Sequence, residues 1–444
     1  MAITIDQKPQ DVEFYNQILM YRCSSSNVSN TGFKYVVKVT IDSEVTKYYI
    51  DPNIQGKLMF DLYDTAKDFI GFDINDYNTT DSIHSLPNGV VNRSFSQSEA
   101  SCKKVTVDIE EGWIASGVFA EQGATGAATH DIYLVNGSQE YSYGDTDSRF
   151  IDGGYYPKTG NLGWLTDREA DTFTPHEQDF GFGSSAVRFI PCYEDDWGVV
   201  SFFHDAATVI ANSDSYEMRY ALFEEDGTQI GTTETRTINS TYGGTAPTST
   251  NQEDKVLHFG CFPKNISEFA SFWTNHPDSG NDWKYYWVRI YDSSINFESH
   301  PLVFVKQCDE RLKARIGWWG QSGGWEYFNF TKRKEDSLTV QAKTIKKKIG
   351  SWQGSSFRFD KHDRGEAEFG RRTEKFLAVE SDYISEGEFT YLQSLIRSKE
   401  VMLINDDGSQ TPLILETKNY VSKAEKGIEQ YNVQLRFKYA QEMR

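Results

Sequence analysis

Phe33-Lys34-Tyr35-Val36-Val37-Lys38-Val39-Thr40-Ile41 sets large apolar side chains at odd positions with mostly polar ones between them. Successive side chains on a strand point to opposite faces, so a period of two describes a strand with one buried face. The same period recurs near the carboxyl end. Tyr431, Val433, Leu435, Phe437 and Tyr439 alternate there with Asn432, Gln434, Arg436 and Lys438. Thr46–Ile50, closed by Asp51-Pro52-Asn53 and Gly56, is a second strand of the first region, and Val105–Ile109 continues it.

Short strands separated by turns every ~8–12 residues predict an immunoglobulin-like β-sandwich over residues 1–110. Residues 111–305 read as a β-rich middle domain. Its strands fall at Ile132–Val135, Val187–Ile190, Val199–Phe203, Met218–Phe223, Val256–Phe259 and Tyr285–Tyr291. Glu224-Glu225-Asp226-Gly227 is a tight turn there, resumed by Gln229-Ile230, and the Thr/Ser/Gly/Asn-rich residues 231–254 predict a long surface loop. Residues 306–444 read as an α+β module. Ser385 with Glu388 forms a capping box before a helix carrying Phe389, Leu392, Leu395 and Ile396 on one face. Val401–Ile404, Asp406-Asp407-Gly408-Ser409 and Leu413–Leu415 then make a hairpin, whereas Glu366–Glu380 fits strand or loop. The expected fold class is mainly β and multidomain, with immunoglobulin-like sandwiches followed by a carboxyl-terminal α+β module.

The chain has 444 residues, 14% of them aromatic and only 6 of them Met, which favours strands over helical bundles. No apolar run approaches the ~20 residues that cross a bilayer, and Met1–Asp6 lacks the basic and apolar regions of a secretory signal. The five cysteines are widely spaced with no C-x-x-C pair, as for buried or half-buried free thiols in a protein made in a reducing cytoplasm. The net charge of −20 is uneven. Residues 306–376 hold 17 Lys/Arg against 10 Asp/Glu, whereas residues 1–305 hold 20 against 44. One acidic and one basic block suit contact between neighbouring copies, although separately solvated faces give the same composition.

Searches for chemistry return little. Gly123–Gly126, Gly181–Gly183 and Gly323-Gly324 fit neither phosphate-loop pattern. The eight histidines are scattered, and Asp73-Ile74-Asn75-Asp76 and Asp278–Asp282 lack the Glu that closes a calcium-binding loop. Tyr193-Glu194-Asp195-Asp196-Trp197 has the carboxylates and aromatics of a glycosidase centre or a sugar contact. Adjacent carboxylates do not supply the ~5–9.5 Å separation across a cleft that glycoside hydrolysis needs, so an acidic turn beside a packed Trp is the plainer reading. Lys343, Lys346, Lys347 and Lys348 describe a basic strand edge or an intersubunit contact, and the surrounding acidity argues against nucleic acid. The expectation is a protein with no catalytic residues, no metal and no cofactor, and with no membrane association.

Ile316-Gly317-Trp318-Trp319-Gly320-Gln321-Ser322-Gly323-Gly324-Trp325-Glu326-Tyr327-Phe328-Asn329-Phe330-Thr331 is the most specific string in the chain. It resembles a W-x-N-x-x-G-G-x-(D/E)-x-F-x-F segment of a family of structural proteins in tailed bacteriophages, with Trp319-Gly320 where that pattern has a polar Asn. Phe33–Val37, Gly163–Asp167, His258–Ile266, Glu388–Leu403 and Tyr431–Ala440 are similar to further blocks in the same order. The resemblance implies a virion component near the tail, baseplate or neck, assembled in the host cytoplasm. Such a subunit would form a homo-oligomer, a ring or trimer, and dock other tail or neck proteins. A receptor- or carbohydrate-binding module at the particle periphery is the alternative. Trp318, Trp319, Gly323, Gly324, Trp325, Phe328 and Phe330 are the candidate interface or packing residues. The glycines allow a tight turn, and the rings either fill an internal hairpin core or anchor a neighbouring subunit.

Overall fold

The computed structural model describes residues 3–76, 81–86, 95–122, 128–138, 162–168, 187–204, 216–237, 255–267, 283–292, 297–308, 313–359, 365–417 and 431–440. Strand accounts for 58% of the described residues and helix for 8%, so the fold is mainly β, as its alternating runs predict.

The first region builds two sheets. Ile3–Gln7, Met20–Ser25 and Lys57–Asp61 form an antiparallel three-stranded sheet. Val12–Phe14, Ala128–Val135, Cys102–Ala115, Lys34–Ile41 and Glu44–Ile50 form the second in that order, with Val118–Glu121 paired to Cys102–Ala115. Tyr35, Val37, Val39 and Ile41, the apolar phase of the opening stretch, pack with Tyr21, Cys23 and Leu58 in a single core shared by both sheets. A division at residue 110 cuts the strand Cys102–Ala115, and Ala128–Val135 lies in the same sheet.

The middle region adds two more sheets. Leu162–Leu165, Val199–His204, Val256–Gly260 and Phe95–Gln97 form one, so residues from the first region close its edge. Arg188–Cys192, Leu302–Lys306, Tyr285–Asp292, Tyr216–Phe223 and Gln229–Thr237 form the other, with Phe297–Glu298 paired to Tyr285–Asp292. Between them lies the largest core, where Phe202 and Phe259 meet Tyr220, Ile290 and Phe304, with Tyr286 stacked on Phe304. The loop expected over 231–254 is a strand as far as Thr237. Its Thr-rich stretch is β-branched and pairs with Tyr216–Phe223, and tertiary pairing overrides the turn-like composition. Residues 238–254 lie outside the described residues, as do Gly123–Gly126, Gly181–Gly183 and Asp278–Asp282.

The last region forms a seven-stranded sheet in the order Trp325–Phe330, Ala314–Trp319, Val401–Ile404, Gln410–Leu415, Gln434–Tyr439, Glu366–Glu380 and Arg333–Lys346. Glu366–Glu380, open to either reading from sequence, is therefore strand. The expected helix is Glu386–Arg397, and its capping box is present. The Ser385 hydroxyl accepts from the Glu388 amide at 3.2 Å, and the Glu388 carboxylate accepts from the Ser385 amide at 3.3 Å. Phe389, Leu392 and Leu395 pack on Ile316, Trp318, Leu377, Leu403 and Phe437. Ser385→Ala removes the cap, and we expect a loss of about 1 kcal/mol in urea unfolding; an unchanged midpoint would show that the helix start depends on packing alone.

Candidate functional site

The Trp/Gly-rich segment is a hairpin between Ala314–Trp319 and Trp325–Phe330, with Trp319 opposite Trp325 and Ala314 opposite Phe330. Both of its faces are covered. Trp318, Phe328 and Phe330 join the core beneath the helix, whereas Trp319, Trp325 and Tyr327 join the central core. Adjacent side chains on a strand diverge, so the Trp318-Trp319 pair sends one indole into each core. Each indole N–H has an acceptor. Trp318 donates to the Ser394 hydroxyl at 2.9 Å, Trp319 to the Asn136 carbonyl at 2.7 Å and Trp325 to the Asp73 carbonyl at 2.7 Å. The candidate aromatics thus pack inside the chain and fasten its three regions together.

Gly323 and Gly324 sit where the turn meets the other regions. Gly323 has φ +84°, and a Cβ there would stand 2.9 Å from the Asn136 carbonyl oxygen. At Gly324 a Cβ would collide with the Leu165 carbonyl and lie 2.9 Å from the Ser201 Cβ. The Asp167 carboxylate accepts the Gln321 and Ser322 amides at 2.8 and 2.7 Å and holds the turn in place. We expect Gly324→Ala to cost about 2–3 kcal/mol in denaturant unfolding, by overpacking. Gly370→Ala serves as the control, since its φ is not positive and a Cβ there meets only the Lys343 Cβ, at 3.9 Å; equal losses at both positions would refute close approach as the cause.

The acidic run at 193–197 is structural in its geometry. Asp196 is fully buried and bonds Arg315 Nη1 at 2.9 Å, Lys313 Nζ at 3.0 Å and Asn329 Nδ2 at 2.7 Å. Asp195 pairs with the same Lys313, and Glu194 with Lys306. Trp197 is buried and donates to the Asp406 carbonyl at 3.0 Å, so its ring offers no face for a sugar to stack on.

A second cluster has no sequence signature. Ser201 Oγ lies 2.9 Å from His258 Nδ1, and His258 Nε2 lies 2.9 Å from Asp73 Oδ2. Serine, imidazole and carboxylate in series are the parts of a hydrolase triad. All three are buried, and Ser201 also accepts the Trp325 amide at 3.3 Å. The cavity beside Ser201 is about 10 Å³, at the lower limit for one water. Asp73 further accepts the amides of Glu99 and Ala100 and the Ser101 hydroxyl. Burial would raise its carboxyl, but His258, Ser101 and the Ala100 amide outweigh that and hold it near about 2. The run Asp73–Asp76, which lacks the closing Glu of a calcium loop and reads in sequence as a solvated turn, is instead buried at both carboxylates, and the Asp73 oxygens are taken up by protein donors. Among the described residues no group of three or more His, Cys, Asp or Glu is placed to hold a metal ion. No described helix is long and apolar enough to cross a membrane.

Glu326 is the titratable group of the hairpin. Burial, and then the nearby Asp167 carboxylate, push it up to about 7 against the Tyr391 hydroxyl, which donates to it at 2.6 Å, and Arg168. An acid with a raised folded pKa binds more protons folded than unfolded. Its contribution is present at low pH and is lost as pH rises from the unfolded value toward about 7. Wild-type stability should therefore fall by ~2 kcal/mol relative to Glu326→Gln between about pH 5 and pH 7; parallel pH profiles for the two proteins would rule this out.

Comparison with known proteins finds no matching family model and no matching curated relative.

Part of the last region stands clear of every core. Arg333–Lys346 pairs only with Glu366–Glu380, and each of its 14 residues is exposed. Glu366–Glu380 meets the body only at its root, where Phe376–Glu380 pairs with Gln434–Lys438. Residues 337–346 thus belong to a two-stranded ribbon roughly 30 Å long. Beyond them Ser351–Gln353 and Ser356–Arg358 form a small hairpin. At that tip Trp352 and Phe357 meet edge to face with their centroids 5.6 Å apart, and both are exposed. Sequence reading found the lysines of this ribbon but not its isolation.

Proposed function

We propose that this protein is a structural subunit of a tailed bacteriophage particle, in the tail, baseplate or neck. In this reading it oligomerises as a ring or trimer and docks other tail proteins. The observation that carries the reading is the bare ribbon formed by Arg333–Lys346 and residues 366–375. A two-stranded hairpin is marginal in water by itself, so a ribbon held out from the body is best explained by a surface that receives it. The segment Ile316–Thr331 and the collinear blocks that resemble phage structural proteins supply the particle. The two amino-terminal sheets around one core fit an immunoglobulin-like sandwich, and residues 306–444 fit an α+β assembly module carrying the ribbon. The two buried carboxylate clusters serve as internal fasteners, in keeping with a non-enzymatic role.

Sedimentation of the purified full chain should give a multimer, and mass spectrometry of purified particles should recover the protein in stoichiometric amount. A chain that remains monomeric at high concentration and is missing from particles would reject the assignment.

A further inference from the structure

We infer that the cationic ribbon docks onto the acidic body, residues 1–305, of a second copy of this chain. This rests on the reading of the protein as an assembly subunit and names the contact that builds the assembly.

Charge is the first argument. Residues 337–358 carry 5 Lys/Arg and no Asp/Glu, whereas residues 1–305 carry 44 Asp/Glu against 20 Lys/Arg. The ion pairs of the ribbon lie toward its root, as Arg333 with Glu335 and Lys375 with Asp336, or across the bulge, as Arg371 with Glu368. Lys343, Lys346, Lys347, Lys348 and Arg358 have no carboxylate partner among the described residues. These are the charges left over for another surface.

Shape is the second. The ribbon cannot fold back onto its own body, because its root is fixed in the seven-stranded sheet and its ladder is continuous to Lys346–Glu366 apart from one bulge at Lys343/Thr344. One face carries Leu338 and Val340 exposed, flanked across the ladder by Lys375 and Thr373. The tip adds exposed Trp352, Phe357 and Phe359. Apolar anchors ringed by cations match a protein surface of opposite charge, where aromatic side chains carry most of the contact energy.

Anionic lipid and nucleic acid also attract basic, aromatic surfaces. Net charge does not separate the occupants, since a second copy also carries −20; the exposed Leu338, Val340, Trp352 and Phe357 favour a protein surface, and a second copy leaves its own ribbon free for the next. Donor and acceptor surfaces differ, so the contact is head to tail, and each copy both gives and receives a ribbon. Such contacts close into rings when the rotation permits.

The test uses the full chain and the triple variant Lys346→Glu, Lys347→Glu, Lys348→Glu, whose side chains touch no core. Circular dichroism and the unfolding midpoint should match wild type, and self-association by sedimentation should weaken roughly tenfold or more. High salt should weaken wild-type association in the same way. A photo-crosslinking residue at Trp352, in a mixture of isotopically light and heavy chains, should yield light–heavy links into residues 1–305. A wild-type multimer that the triple variant and salt leave unchanged, or links that fall outside residues 1–305, would overturn the ribbon contact and leave the assembly reading standing. Transfer of the wild-type chain to anionic vesicles or duplex DNA, lost in the variant while self-association persists, would overturn it in favour of those partners. A wild-type chain that never associates would sink both.

Discussion

A strand that is dry on both faces must have a layer built against each, and the hairpin of Ala314–Trp319 and Trp325–Phe330 imposes that condition on this molecule. Trp318 commits one face to the helix, and Trp319 commits the other to the central sheets. An indole is tolerated in such a place only with its N–H bonded, so each ring also selects one specific acceptor. Those acceptors are Ser394, Asn136 and the carbonyl of Asp73, one on the helix and two in the amino-terminal third of the sequence. The positions of the other layers follow from this hairpin more than from any linker.

The buried carboxylates refine that placement. Asp196 joins the turn after Arg188–Cys192 to Arg315 and Asn329 on the two hairpin strands. Asp73 joins the segment before residue 101 to His258 and, through it, to Ser201. Ion pairs in a dry interior return little net stability, because desolvation offsets the attraction. Their value is discrimination: a shifted register would leave Asp196 or Asp73 buried without donors, a cost of several kcal/mol. Carboxylates beside aromatics, or serine beside histidine, thus look like chemistry in a list of residues. With the distances and the exposure in view, they look like alignment.

What was legible in the sequence was what neighbours decide. The alternation in Phe33–Ile41 and Tyr431–Tyr439, the box at Ser385 and Glu388 and the hairpin around Gly408 all depend on residues within one turn or one pleat. Partner choice between distant strands was not legible. Nothing near Phe95 announces that it will pair beside Phe259, and Ser201, His258 and Asp73 come from three separate stretches. The Thr-rich strand ending at Thr237 was hidden by a composition shared with loops. In the ribbon, Ser337, Thr339 and Gln341 alternate with Leu338, Val340 and Ala342, the pattern of an ordinary half-buried strand. Only the fold reveals that its apolar phase faces water.

The acceptors chosen by the indoles also set an order of events during synthesis. Asn136 and Asp73 emerge from the ribosome well before Trp319 and Trp325, which follow their acceptors by 183 and 252 residues. Until the hairpin arrives, the sheets that it caps lack a lid over Phe72, His258 and Phe262, and the nascent chain must carry that apolar surface uncovered. Contacts of such sequence separation form late and slowly. Prematurely terminated chains would therefore be sticky fragments and natural clients of chaperones.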